Sequence, residues 1–343
     1  MKLGIVGYPS RLGGADTELD HQMVCWSKMG IEMHVVHTGE IDANLRAMEL
    51  DKRPGVTVHE PRNWAALSGM PVISFCNGKF LEDLPEIRQY CTKVLWVNCM
   101  SWLFDMEKQR HKEGMIDAFL YQREGVMDLV GPTLRALNEV TRQFIFTPYF
   151  DARRFPFSAN IRPGDKFRFC HISREDLGKY HPQTRWLFET MVAPVPKEGH
   201  ILGWDANRMP QKLGQMPDWV TCEPAGARPV AEIYEKSHVL ISFADPSLTE
   251  NLPRVAFEAM ASGTLIIADR RGGWETIIDH GRTGWLCRND REFAYYCSRA
   301  AFEIDERETM VLAARKRLMS TCGSLSWVAW SWKRIFELTG VWN

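Results

Sequence analysis

Glu250 and Glu258 lie eight residues apart in the stretch Glu-Asn-Leu-Pro-Arg-Val-Ala-Phe-Glu-Ala-Met-Ala-Ser-Gly (250–263). A carboxylate accepts two hydrogen bonds side by side, which fits the vicinal diol of a ribose or hexose. Pro253 suits the first turn of a helix and Gly263 the left-handed residue that stops one, so the spacing predicts a short helix between them. The unpaired N–H groups that open such a helix favour a phosphate. Two diol-binding carboxylates flanking a phosphate-binding helix start describe a nucleotide sugar. On a solvated helix face the same two residues would have no such role, so the elements around them decide.

Those elements are two continuous apolar runs, His-Val-Leu-Ile-Ser-Phe-Ala (238–244) before the helix and Thr-Leu-Ile-Ile-Ala (264–268) after it. Runs of this kind fit parallel strands buried on both faces, with the helix as their crossover. Glu250 then stands at a strand's carboxyl end, where ligands bind in open α/β sheets. Upstream, a strand at Phe167 to Ile172 leads into Ser-Arg-Glu-Asp-Leu-Gly-Lys (173–179), which puts Arg174 and Lys179 at another carboxyl end. The chain opens in the same style. A strand at Lys2 to Gly7 is followed by a loop with Gly13 and Gly14, a helix through about Met29 and a strand at Ile31 to His37. The Gly-x-Gly-x-x-Gly spacing of a dinucleotide fold is missing, and Gly13 and Gly14 read as a close backbone approach to an anion or a sugar. Further strands are expected at Val72 to Phe75, Val94 to Val97, Ala118 to Tyr121 and Phe144 to Thr147. The aperiodic stretch Pro148 to Lys166, with Arg153, Arg154 and Arg162, reads as a linker.

A length of 343 residues suits two domains. The formal charge of −1 provides no global field for nucleic acid or anionic membrane, so such a partner needs a local patch. Nine cysteines, without Cys-x-x-Cys or His/Cys ligand spacing, point to reduced thiols in a cytoplasmic protein. No apolar run reaches the roughly 18 residues of a membrane span. Trp327, Trp330 and Trp332 cluster near the end of the chain and read as packing of a final helix, with stacking on a sugar or base as the alternative.

Glu250-x7-Glu258 with Ala259-Met260-Ala261-Ser262-Gly263, then Gly272-Gly273-Trp274-Glu275 and Asp279-His280-Gly281-Arg282-Thr283-Gly284, resembles the retaining glycosyltransferases of GT-B fold that share the "Group 1" donor domain. Arg174 and Lys179 match the family's basic pair, Asp151-Ala152-Arg153-Arg154-Phe155 its interdomain segment, and Gly13-Gly14-Ala15 its N-terminal glycine loop. The match is close from about 148 to 288 and in outline before that. It implies an α/β protein of two Rossmann-like domains facing a cleft. The acceptor-side domain would span 1–155 together with a C-terminal helix, about 325–343, that crosses back to it; the donor domain would span 156–324.

By the same resemblance, Glu258 holds the ribose hydroxyls and Glu250 the transferred sugar. The amides of Asn251 and Leu252 at the Pro253 helix start take phosphate, and Arg174 and Lys179 grip the diphosphate as catalytic cations with Glu250. The implied reaction is a front-face transfer with retention, needing neither metal nor cofactor beyond the donor itself. One departure stands out. Many relatives carry a first-domain His near the donor sugar, whereas this chain reads Val97-Asn98-Cys99-Met100-Ser101-Trp102. Either Asn98 substitutes as the sugar contact, or the donor is a pentose or deoxy sugar.

The acceptor, a hydroxyl of a glycan, lipid-linked sugar, small molecule, protein or modified DNA base, is not specified by these motifs. Arg135, Arg142, Arg153, Arg154 and Arg162 keep glycosylation of a hydroxymethylated DNA base open, and peripheral contact with a membrane or DNA likewise. The alternatives of another class are a nucleotide-sugar-binding module without turnover and, among enzymes, an epimerase or a phosphorylase. Keeping Arg174, Lys179, Glu250 and Glu258 together speaks against the binding module. An epimerase would lack this donor motif, and a phosphorylase would need a lysine-bound pyridoxal phosphate.

Overall fold

The computed structural model describes residues 1–10, 13–159 and 164–342; Arg162 of the expected linker lies outside them. The chain divides into two compact units, Met1–Asp151 with Thr321–Asn343, and Ala152–Ser320. These boundaries fall at 151/152 and 320/321, against sequence expectations of 155/156 and 324/325. The reason is local: beyond Asp151 the chain already bonds to the second unit, with the Ser158 N–H donating to the Ser262 carbonyl at 3.1 Å.

Unit 1 is built on a seven-stranded parallel sheet. Its strands are β1 (Lys2–Val6), β2 (Glu32–Val36), β3 (Val56–Val58), β4 (Pro71–Phe75), β5 (Lys93–Asn98), β6 (Ala118–Tyr121) and β7 (Gln143–Ile145), in the order β3-β2-β1-β4-β5-β6-β7. The apolar runs are continuous because both faces are covered. Leu95 and Val97 point into one core with Trp26 and Trp332, while Val94 and Trp96 point into the other with Phe80 and Leu84. β3, beside β2 at the sheet edge, has no continuous apolar run: Val56 and Val58 are half-buried and Thr57 is exposed.

The C-terminal helix Leu325–Thr339 belongs to unit 1. Its buried Trp332 packs edge-on to Trp26 at 5.0 Å and donates its indole N–H to the Gln22 Oε1 at 2.6 Å. The Phe150 N–H donates to the Cys322 carbonyl at 2.9 Å, tying the departing chain to the returning one. Trp327 and Trp330, on the same helix, stack on each other in solvent.

Unit 2 repeats the plan with six parallel strands. They are β8 (Phe167–Ile172), β9 (Lys197–Leu202), β10 (Val220–Glu223), β11 (Val239–Ser242), β12 (Leu265–Asp269) and β13 (Trp285–Cys287), in the order β10-β9-β8-β11-β12-β13. Each sheet reverses its winding between its first strand and the strand that starts its second half, β1/β4 and β8/β11. That reversal splays the loops apart and leaves a crevice at the strands' carboxyl ends.

Candidate functional site

At the β8/β11 switch point of unit 2, the loops leaving both strands meet. After β8 the Asp176 carboxylate accepts the Gly178 N–H at 2.9 Å, winding Leu177–Lys179 into a 3-10 turn. The turn delivers the Lys179 ammonium to the Glu250 carboxylate in the loop after β11, and the two form an ion pair with both side chains about four-fifths buried. Arg174, earlier in the same loop, is exposed and makes no ion pair among the described residues.

The Glu250 loop is held from several sides. Asp269 at the end of β12 accepts the Ala244 N–H at 2.9 Å. Arg271 donates to the carbonyls of Ala244, Asp245 and Pro246, each at 2.8 Å. Asp245 pairs with Lys212 at 2.6 Å, and the same ammonium reaches the Leu177 carbonyl at 2.9 Å, coupling the two loops. That bond to Lys212, helped by Ser247, holds the Asp245 carboxyl well below the usual carboxylate range. The Gly273 N–H donates to the Glu250 carbonyl at 2.8 Å. A Cβ on Gly273 would stand 1.9 Å from the Asn251 carbonyl oxygen, so only glycine lets the turn after β12 close on this loop.

The helix Arg254–Ser262 follows, with Pro253 one position before its first residue and Gly263 ending it at φ 78°. Asn251 and Pro253 are buried and Leu252 half-buried at its start. Glu258 is half-buried on the helix and accepts a hydrogen bond from the Tyr234 hydroxyl at 3.2 Å. Burial pushes the Glu258 carboxyl up, and the Arg254 guanidinium one turn earlier pulls it partly back. Burial raises the Tyr234 hydroxyl as well, which keeps it a donor to the carboxylate.

Lys179, Glu250 and the helix carrying Glu258 therefore come together on one sheet edge. Gly13 and Gly14 belong to unit 1, where Gly13 at φ 96° opens the helix Gly14–Lys28. Asn98 also belongs to unit 1. It is fully buried at the end of β5, its amide N–H groups donate to the Glu107 carboxylate at 3.1 Å and the Trp102 carbonyl at 3.0 Å, and its Oδ1 accepts the Met100 N–H at 2.7 Å. An amide bonded in this way shapes the loop after β5.

Sequence reading missed Lys212, Tyr234, Asp245, Asp269 and Arg271. Most of their partners are backbone groups or residues at least 20 positions away, so no local spacing marks them. The nearest signal was the position of Asp269 and Arg271 at a strand end beside the glycine pair.

Unit 1 opens at its own switch point, between the carboxyl ends of β1, β2 and β4, into a cavity of about 780 Å³. Asp16, Asp42 and Lys79 stand on its walls.

The family model of Glycosyl transferases group 1 matches residues 177–301, which hold Lys179, Glu250 and Glu258. No curated protein matches the chain by sequence. Among solved structures, HepE from Anabaena in complex with UDP-glucose superposes with a TM-score of 0.73 at 12% identity, covering 98% of this chain and 100% of that one. Sucrose-phosphate synthase from Thermosynechococcus elongatus gives 0.74 at 14% identity, with 98% of each chain covered. A glycosyltransferase from Rickettsia africae gives 0.73 at 15%, again with 98% of each. Both units together thus adopt the fold of solved GT-B glycosyltransferases, and residues 177–301 carry the segment that matches Glycosyl transferases group 1.

Proposed function

We propose that this protein is a retaining glycosyltransferase that moves a sugar from a nucleotide diphosphate sugar to a hydroxyl acceptor, with no resident metal or cofactor. The observation that carries the reading is the Lys179–Glu250 pair at the β8/β11 switch point, inside the segment that matches the glycosyltransferase family. The donor bound to HepE, UDP-glucose, supports the choice of a nucleotide sugar as substrate class.

Lys179 and Glu250 satisfy each other across the two loops. An incoming diphosphate offers Lys179 a more highly charged partner and releases the Glu250 carboxylate to accept hydroxyl hydrogen bonds from the sugar. Arg174, exposed on the same loop, adds a second cation. Glu258, steadied by Tyr234, takes the ribose diol. As the bond between the sugar's anomeric carbon and the diphosphate oxygen breaks, its electron pair stays on the nucleoside diphosphate. The acceptor oxygen bonds to the anomeric carbon from the same face, and its proton passes to the departing phosphate oxygen. Lys179 and Arg174 stabilise the charge that grows on that oxygen, so they act more strongly in the transition state than in the ground state. Retention rests on the family resemblance, which supplies no protein nucleophile.

With Asn98 committed within unit 1, the absent first-domain His favours a donor sugar lacking the hydroxyl it would meet, a pentose or deoxy sugar. Nine free cysteines support a cytoplasmic location, and among the described residues no helix is long and apolar enough to cross a membrane.

Mass-spectrometric detection of donor hydrolysis across UDP, GDP, ADP and dTDP sugars, hexoses and pentoses alike, tests this function without an acceptor. Release of nucleoside diphosphate from one donor class is expected. A protein that neither binds nor hydrolyses any of them is not this enzyme, and tight binding without turnover leaves only the binding module.

A further inference from the structure

The cavity in unit 1 is built by the same topology as the donor site but with different chemistry. Its walls come from the carboxyl ends of β1, β2 and β4 and the helix starts that follow them. Tyr8, Leu19 and Phe75 supply an apolar floor. Above it stand Asp16, Asp42 and Glu82, three carboxylates against one ammonium, Lys79, among the described lining residues.

The existing bonds leave these groups unevenly free. Lys79 is neutralised by Glu82 at 2.8 Å. Asp42 caps a short helix by accepting the Leu45 N–H on Oδ1 at 2.9 Å, leaving Oδ2 open. Asp16 accepts the Ser10 hydroxyl on Oδ2 at 2.8 Å, leaving Oδ1 open among the described residues. The His37 Nδ1 is engaged with the backbone of Gly39 at 2.7 Å, which leaves its Nε2 for the cavity. Asn44 adds an amide.

Open carboxylate oxygens accept from hydroxyls and repel phosphates. A volume of this size matches a small-molecule site, and an apolar floor beneath convergent polar groups suits the C–H face of a sugar ring. We propose that this cavity selects an uncharged, hydroxyl-rich molecule of sugar size held by Asp16 and Asp42, not a phosphate-bearing sugar or a nucleic acid, and that this molecule is the acceptor. The identification as an acceptor site rests on the glycosyltransferase reading above; the ligand class rests on the cavity alone.

The test is saturation-transfer NMR on the full chain, using a panel of neutral methyl glycosides, their monophosphates, and a short DNA duplex bearing a hydroxymethylated base. Wild-type protein is expected to bind at least one neutral glycoside and to bind its monophosphate at least about 10-fold more weakly. Asp16→Asn and Asp42→Asn keep the shape and the capping oxygen, since Asn caps a helix as well as Asp does. Each should weaken the neutral glycoside by about 10-fold, the effect of losing a charge-assisted hydrogen bond, and each should narrow the discrimination against the phosphate. Equal or tighter binding of the monophosphate or the duplex, binding of no neutral glycoside, or unchanged affinity in both variants would overturn the proposal. Donor hydrolysis by the wild-type protein is measured separately. Its absence alongside glycoside binding at Asp16 removes the transferase reading and the acceptor role, but leaves the site and its ligand class standing.

Discussion

The two sheets share one strand order from their edge through six strands, yet their switch points hold opposite chemistry. In unit 2 the β8/β11 crevice is crossed by the ion pair Lys179–Glu250 and flanked by Lys212–Asp245 and Arg271–Asp269, while Arg174 makes no ion pair among the described residues. In unit 1 the β1/β4 crevice is an open cavity in which the only described lysine is already paired and two carboxylates keep an open oxygen. Topology gives each unit a crevice; side chains at the same strand ends set the chemistry it offers. Cations beside a helix start suit a diphosphate, and open carboxylates suit hydroxyls.

The contrast can be broken first through the core that forms unit 1 alone. Trp332→Ala should cost about 3–5 kcal/mol, because the indole is fully buried against Trp26 and leaves the Gln22 amide without its donor. Thermal unfolding should show that loss, and an unchanged melting temperature would mean that the last helix does not stabilise unit 1.

At the β8/β11 crevice, Lys179→Ala should lower kcat about 100- to 1,000-fold with a smaller change in donor KM, as expected if Lys179 stabilises developing charge. Normal turnover would remove Lys179 from catalysis and leave the Lys179–Glu250 pair as a structural bridge.

Acidity should separate the units in opposite directions. Burial pushes the Glu107 carboxyl in unit 1 up to about 7 and the His171 imidazole in unit 2 down to about 4. Folded unit 1 therefore holds the Glu107 proton more tightly than the unfolded chain does, and its stability falls as pH rises from about 4.5 through about 7. The unfolded chain takes up the His171 proton first, so unit 2 loses stability as pH falls from about 6.5 towards 4. Each contribution is on the order of 3 kcal/mol. In a pH series of unfolding free energies, Glu107→Gln should flatten the neutral limb and spare the acid one; the same slope in both proteins would show that Glu107 is not the group responsible.

The smallest effect is expected at Trp330, which stacks on Trp327 in solvent. Trp330→Ala should change stability by less than about 0.5 kcal/mol, and a larger loss by the same melting assay would mean that this face is covered in solution.

Much of this arrangement is legible in the sequence. Runs such as Val94 to Val97 and 238–244 are apolar without alternation because helices cover both faces of each sheet, and Pro253 and Gly263 mark the helix Arg254–Ser262 because backbone geometry leaves few alternatives there. Lys179, Glu250 and Glu258 are recognisable because strand ends and a helix bring short, fixed spacings to one edge. β3 escaped because its three residues carry no run, and the bonding of Asn98 was not legible because its partners, Glu107 and the Trp102 carbonyl, meet it only once the loop after β5 has folded.

By itself, then, the sequence determined the two α/β units, the places of their apolar strands along the chain and the residue types in the loops after β8 and β11, since these depend on periodicity and on turn geometry within a few residues. Only the tertiary structure decided that Lys179 answers Glu250, that Arg271, Asp269 and Lys212 hold the loop between them, that Gly273 is seated against Asn251, and that Asp16 and Asp42 share a cavity. Those pairings join loops dozens of residues apart, and which side chains meet across a sheet edge is set by strand order and register, which no local spacing encodes.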